Sequence, residues 1–299
     1  MKAKNLKAKI FLSLLFIFLA MPVNAAGLFH PDKSGDEFLL SLINKYADKF
    51  QVKTFNDKDS NLTLEYNIYF PEDYSPAKKY PVVFFIADGS SVKKGAQFSL
   101  KQGCGGLVWC EYNCVVIVPF YNDILLDDHG AFKISNYVEL TAKFINSAIQ
   151  NYNLDSSRVY ATGQSMGCMT FLLLASKYPD LFTACLFVSG QWDISKLDGL
   201  KTQKFIYAAS LGDDKASTGQ SEVIKMFTES GVNFTHYCNV DAKNFNEKLD
   251  SKQAHNFITL KAGTTLPDET GEKYSEHMTS FDYVYKIQAL REWLFAQVK

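Results

Sequence analysis

Five consecutive residues, Gly163-Gln164-Ser165-Met166-Gly167, constrain this chain more than any other stretch. Before them, Arg158-Val159-Tyr160-Ala161-Thr162 is β-branched and aromatic, as a buried strand requires. After them, Cys168 to Ser176 is a long apolar run that reads as a helix. A strand that turns into a helix this abruptly leaves no space for side chains on either side of the serine, hence the two glycines. Ser165 then protrudes beside a helix N-terminus, whose free N–H groups favour negative charge. The bare pattern also fits a structural glycine turn. The flanking strand and helix favour a nucleophile elbow.

The rest of the chain alternates in the same way. An amphipathic helix is expected over Glu37 to Phe50 and strands over Leu62 to Tyr69 and Val82 to Ala87. Val82-Val83-Phe84-Phe85-Ile86-Ala87 is wholly apolar, the mark of a strand covered on both faces of a parallel sheet. Val115 to Pro119 reads as a strand and Tyr137 to Gln150 as a long helix. Beyond the elbow, strands are expected at Cys185 to Val188, Phe205 to Ser210, Asn233 to Val240 and Phe257 to Lys261. Helices are expected near Glu222 to Ser230 and over Tyr283 to Gln297. The pattern implies an α/β fold, a mostly parallel doubly wound sheet with right-handed crossovers and helices on both faces. Ligands in such sheets bind at the carboxyl ends of the strands, where Ser165 falls.

Residues 1–25 read as a signal peptide. Lys2, Lys4, Lys7 and Lys9 form a basic stretch, Ile10 to Ala20 is an apolar run too short to span a bilayer, and Val23-Asn24-Ala25 offers a small-x-small cleavage site. No cysteine follows that site for a lipid anchor, and no later segment has the ~18 consecutive apolar residues of a membrane helix. Residues 26–299 suit one exported catalytic domain, periplasmic or extracellular. Cleavage removes four lysines and no acid, taking the formal charge from -1 to -5 and arguing against nucleic acid as a partner. Arg158 and Arg291 are the sole arginines, few for phosphate recognition. Of the six cysteines, Cys110 and Cys114 are the candidate disulfide, whereas Cys168 and Cys185 lie in apolar runs and read as buried thiols. No spacing suggests a zinc site, and no metal or organic cofactor is implied.

A serine hydroxyl needs a base to take its proton, and the base needs an orienting acid. Where the serine sits on an elbow of this kind, the acid follows it in the chain and the histidine comes last. His236, His255 and His277 follow Ser165. His236 lies in an expected strand, and His255 precedes an apolar run. His277 ends a polar loop before the last helix, the place from which a base can return to the serine. The acid is sought after the strand Phe205 to Ser210, at Leu211-Gly212-Asp213-Asp214. Asp213 is the first choice, Asp214 its neighbour, and Asp193 reads better as a helix cap. The oxyanion hole calls for two backbone donors. Met166 N–H is one, and Gly89 or Ser90, in the loop Asp88-Gly89-Ser90-Ser91, is the other.

On these residues the chain resembles the secreted α/β-hydrolase esterases and predicted peptidases related to the polyhydroxybutyrate-depolymerase-like and prolyl-oligopeptidase-like enzymes. The likeness runs through Arg158 to Gly167, Ser210-Leu211-Gly212-Asp213-Asp214-Lys215-Ala216, and His277 to Phe281 with the helix after it. More loosely, it includes Gln102-Gly103-Cys104-Gly105-Gly106 and Trp109. It implies a triad of Ser165, His277 and Asp213. Many relatives carry His-Gly where this chain has Asp88-Gly89, a change that bears on the geometry of the oxyanion hole. The expectation is a serine carboxylesterase acting on a small-molecule or polymer-derived ester. A peptidase of the same fold is the alternative. A further rival is a non-catalytic carbohydrate binder that uses Trp109, Trp192 or Trp293, although Trp293 falls on the apolar face of the last helix.

Overall fold

The computed structural model of the protein describes residues 31–130, 132–245, 247–267 and 274–299. The expected signal peptide lies outside them. Its strands are β1 (Gln51–Asp57), β2 (Leu62–Tyr69), β3 (Val82–Ile86), β4 (Val115–Phe120), β5 (Leu126–Asp127), β6 (Lys133–Ile134), β7 (Val159–Gln164), β8 (Ala184–Val188), β9 (Phe205–Ser210), β10 (Thr235–Val240) and β11 (His255–Leu260). Its helices are α1 (Glu37–Tyr46), α2 (Ala96–Lys101), α3 (Asn136–Asn151), α4 (Met166–Lys177), α5 (Asp214–Glu229), α6 (Glu276–Lys286) and α7 (Gln288–Phe295).

Nine strands form one sheet in the order β1-β2-β4-β3-β7-β8-β9-β11-β10. β1 and β2 pair antiparallel with each other, as do β2 and β4, and the remaining pairs are parallel. The two-residue period of a strand sends alternate side chains into two cores. Val82, Phe84 and Ile86 pack with Phe144 of α3 and Phe171 and Leu172 of α4. Val83 and Phe85 join a second core with Leu39 of α1, Phe281 and Tyr285 of α6, and Trp293 of α7. β3 is therefore buried along its whole length, as its unbroken apolar sequence demands. Fully burying each such side chain contributes ~1.5–3 kcal/mol.

Several boundaries differ from the sequence reading. The first helix stops at Tyr46 and gives way to a 3-10 turn over Ala47–Lys49. The helix expected near Glu222 starts at Asp214 because Asp213 caps it, its Oδ1 accepting from Ala216 N–H. The single C-terminal helix is two, broken by extended backbone at Ile287. β1 has no counterpart in the sequence reading, since this half-exposed edge strand lacks an apolar run. The candidate Cys110–Cys114 disulfide is absent: both are free thiols, and Cys114 Sγ donates to Trp109 O at 3.3 Å. Burial pushes both thiols up, which keeps them protonated and unreactive. Among the described residues no helix is long and apolar enough to cross a membrane.

Candidate active site

Ser165 links β7 to α4 with φ 51° and ψ −116°. A non-glycine residue reaches this region only when its surroundings force it, at a cost of about 1–3 kcal/mol. The forcing is visible in the bonds and in the space. Ser165 N–H donates to Val188 O of β8 at 3.0 Å, and Ser165 O accepts from Met169 N–H of α4 at 2.9 Å. A Cβ at Gly163 would lie 2.5 Å from the carbonyl carbon of Gly167, and one at Gly167 would lie 1.9 Å from Ile86 O. Both glycines of the motif are thus fixed by close backbone approach, and the serine between them is held out at the sheet's carboxyl edge.

His277 and Asp213 meet Ser165 there. His277 Nε2 lies 2.8 Å from Ser165 Oγ, and His277 Nδ1 lies 2.6 Å from Asp213 Oδ2. With Nδ1 protonated and donating to Asp213, Nε2 is free to accept the serine's proton. Asp213 is buried and doubly engaged, since Oδ1 caps α5 while Oδ2 faces the imidazole. His277 is the second residue of α6 and not the end of a loop, and Ser275 Oγ accepts from its N–H at 3.1 Å.

The other candidates lie elsewhere. Asp214 is an exposed first-turn residue of α5. Asp193 caps a 3-10 turn, accepting from Ser195 N–H at 3.0 Å. His236 Nε2 pairs with Thr259 Oγ1 at 2.8 Å. His255 is buried at the start of β11, its Nδ1 against Asn233 O at 3.0 Å. Burial lowers the pKa of both histidines, so they sit in the sheet as neutral packed rings.

Met166 is the first residue of α4, so its N–H has no partner within the helix. Ser90 N–H is occupied, donating to Asp88 Oδ1 at 2.9 Å. No acceptor meets Gly89 N–H among the described residues, which leaves it available as the candidate second donor. The Asp88 carboxylate is buried behind this loop and accepts through Oδ2 from Gln164 Nε2 at 2.8 Å and Gln102 Nε2 at 3.1 Å. Asp88 thus ties the loop to Gln164, the residue immediately before Ser165.

The sequence reading passed over Glu276. Its side chain is buried and accepts from Ser210 Oγ at 2.6 Å, Gly263 N–H at 2.7 Å and Thr265 Oγ1 at 3.1 Å. These contacts join the ends of β9 and β11 to the first turn of α6, fixing where His277 emerges. A glutamate in a polar stretch looks solvated, and only its adjacency to His277 marked it. Glu276→Ala should strand three polar groups and cost about 3 kcal/mol of stability. It should also lower turnover of any substrate that uses His277, read by thermal melting and kcat on the same preparation.

A cavity of about 850 Å³ opens beside these groups. Gly89, Ser165, Met166 and His277 line its catalytic end, and Ile124, Leu126 and Met169 give it an apolar wall. Asp123 to His129 and Lys133 to Ser135, which carry the small antiparallel pair β5 and β6, also line it.

Comparison with proteins of known structure decides the fold. A thermostable esterase superposes with a TM-score of 0.69 at 22% identity, covering 85% of this chain and 64% of that one. The feruloyl esterase module from Clostridium thermocellum superposes at 0.55 and 14% identity, covering 86% and 91%. This chain has the α/β-hydrolase fold. Residues 133–270 match the Esterase family model. Acetylxylan esterase A of Emericella nidulans is 43% identical over 150 residues, 47% of this chain and 46% of that protein. The α/β-hydrolase chain therefore spans about half the length of the curated relatives it matches.

Among the described residues, two groups of side chains are close enough to share a cation. In Asp36, Cys104 and Asp282, the carboxylates already hold ammonium groups, Lys286 on Asp36 and Lys33 on Asp282, both at 2.5 Å. That cluster fastens α1 to α6. In Asp127, Asp128 and His129, Asp128 pairs with Lys215 at 3.0 Å and also accepts from Gln191 Nε2.

Proposed function

We propose that the protein is an exported serine carboxylesterase. The observation that carries this reading is the hydrogen-bonded relay from Ser165 through His277 to Asp213, at 2.8 and 2.6 Å, beside an open cavity. Ser165 Oγ attacks the acyl carbonyl as His277 Nε2 removes its proton. Met166 N–H and Gly89 N–H hold the developing oxyanion. The imidazolium, stabilised by Asp213, then protonates the departing alkoxide. A water molecule, deprotonated by the same imidazole, opens the acyl-enzyme and releases the acid. The match to the Esterase family and to an acetylxylan esterase supports an ester substrate, with an acylated carbohydrate as the leading class. An ester also has the better leaving group than an amide. Export rests on the leader reading of residues 1–25.

The rival reading, a non-catalytic carbohydrate binder, loses two of its three tryptophans. Trp109 and Trp293 are core residues whose Nε1–H groups donate to Gly105 O and Asp250 O. Trp192 is buried too, but its Nε1–H meets no acceptor among the described residues.

A series of short p-nitrophenyl esters set against peptide p-nitroanilides tests the assignment. The expected result is ester kcat/KM on the order of 10⁴ M⁻¹s⁻¹ or more, with no measurable anilide cleavage. Preferential anilide cleavage would establish the peptidase instead.

A further inference from the structure

A second cavity, of about 460 Å³, adjoins the first, and Asp128 lines both. Its wall is aromatic. Phe132 is 42% exposed, although large apolar side chains are ordinarily covered. Its φ of 46° is a conformation that bulky residues rarely adopt, and it directs attention to what this position does. The ring stands edge-on to Trp192, with centroids 5.1 Å apart and planes at 80°. Trp192 is 2% exposed, and its Nε1–H meets no acceptor among the described residues. A buried indole donor ordinarily finds a partner. The remaining wall carries the carboxylates of Asp193, Asp214 and Glu222.

We propose that this second cavity binds the alcohol portion of the ester as a neutral polyhydroxyl ring, a sugar residue, with Phe132 as its stacking platform. The proposal rests on the esterase reading above. Three observations converge on that occupant. A sugar ring has an apolar face of C–H groups, which an exposed aromatic ring can cover. Its hydroxyls donate to carboxylates, which this wall supplies. An anionic ring would meet three carboxylates, with the Lys215 ammonium already paired to Asp128 at 3.0 Å. The apolar wall of the first cavity, Ile124, Leu126 and Met169, is then left for the acyl group. Trp192 acts mainly as a positioning residue, seating Phe132 from beneath.

The test is a ratio of kcat/KM for an acetylated xylo-oligosaccharide and for p-nitrophenyl acetate, which share an acyl group and differ in the alcohol. Phe132→Ala should lower this ratio about fivefold to tenfold, chiefly through KM for the sugar ester. Phe132→Trp should restore it. Trp192→Ala removes the ring beneath Phe132 and should raise KM for the sugar ester with little change in kcat. An unchanged ratio in Phe132→Ala would overturn the proposal, as would a preference for choline or glucuronic acid esters over the neutral sugar. If the unmodified protein hydrolyses neither acetate, the esterase reading fails on its own. The cavity is then tested by tryptophan fluorescence with the deacetylated oligosaccharide. A saturable change that Trp192→Phe abolishes supports the sugar site, and no change rejects it.

Discussion

Ser165→Ala is expected to reduce kcat/KM for p-nitrophenyl acetate by about 10⁴- to 10⁶-fold while leaving the circular dichroism spectrum unchanged. The substitution removes the atom proposed to form the acyl bond and nothing that the fold depends on. Ser165 N–H and O keep their bonds to Val188 and Met169. The hydroxyl's one partner in the relay is His277 Nε2 at 2.8 Å. His277→Ala should produce a loss of similar size, because a serine without its base is no better a nucleophile than water. The double variant should be little worse than either single one, since residues acting as a unit lose their function together. Residual turnover should reflect the Met166 and Gly89 donors and binding in the cavity. Active-site titration with a slow acylating ester provides a second readout: one equivalent of burst from the unmodified protein and none from Ser165→Ala. Turnover that survives Ser165→Ala would reject the proposed mechanism outright.

Much of the fold was legible because it is written in short-range patterns. Phe205–Ser210 emerged with its exact ends, since an apolar strand bounded by Leu211-Gly212 leaves no other boundary. The candidate site was legible for a different reason, the chain order of serine, acid and histidine. That order left His236, His255 and His277 as candidates, and the place of His277 just before the last helix set it apart. What stayed hidden depends on contacts distant in sequence. The preference for Gly89 over Ser90 follows from Asp88 Oδ1 turning back onto the Ser90 amide. Glu276 joins Ser210 to Gly263 across 66 and 13 residues, a bond set no local window displays. Cys110 and Cys114 are close in sequence, yet both thiols are buried and unbridged. Trp192 illustrates the same limit: its composition suggested a sugar surface, but the exposed ring on that wall is Phe132.

The largest stability loss is expected from a single methyl group at Gly167. A Cβ there would stand 1.9 Å from Ile86 O and 2.6 Å from the Ile86 carbonyl carbon. Both are backbone atoms of β3, which is paired on either side with β4 and β7, so neither can yield as a flexible side chain would. The whole first turn of α4 would have to lift off the sheet, and its apolar face, including Phe171 and Leu172, would lift with it. Overpacking a core usually costs ~1–3 kcal/mol, and a clash confined to backbone belongs at or above the upper end. Gly167→Ala should therefore lose about 3 kcal/mol or more, a fall in Tm of roughly 10 °C for a chain of this size. Gly89→Ala is the matched control for stability. A Cβ there meets only Ile124 Cδ1, at an ordinary 3.6 Å, so its Tm should stay within a degree or two, about 0.5 kcal/mol. Differential scanning calorimetry of the two variants side by side makes the comparison. An equal Tm in both would mean that α4 has room to move away from β3, and that the strained Ser165 conformation is not held by the close approach of Gly167. A large gap would tie the second glycine of the motif to backbone contact, with the protruding, strained serine as its consequence.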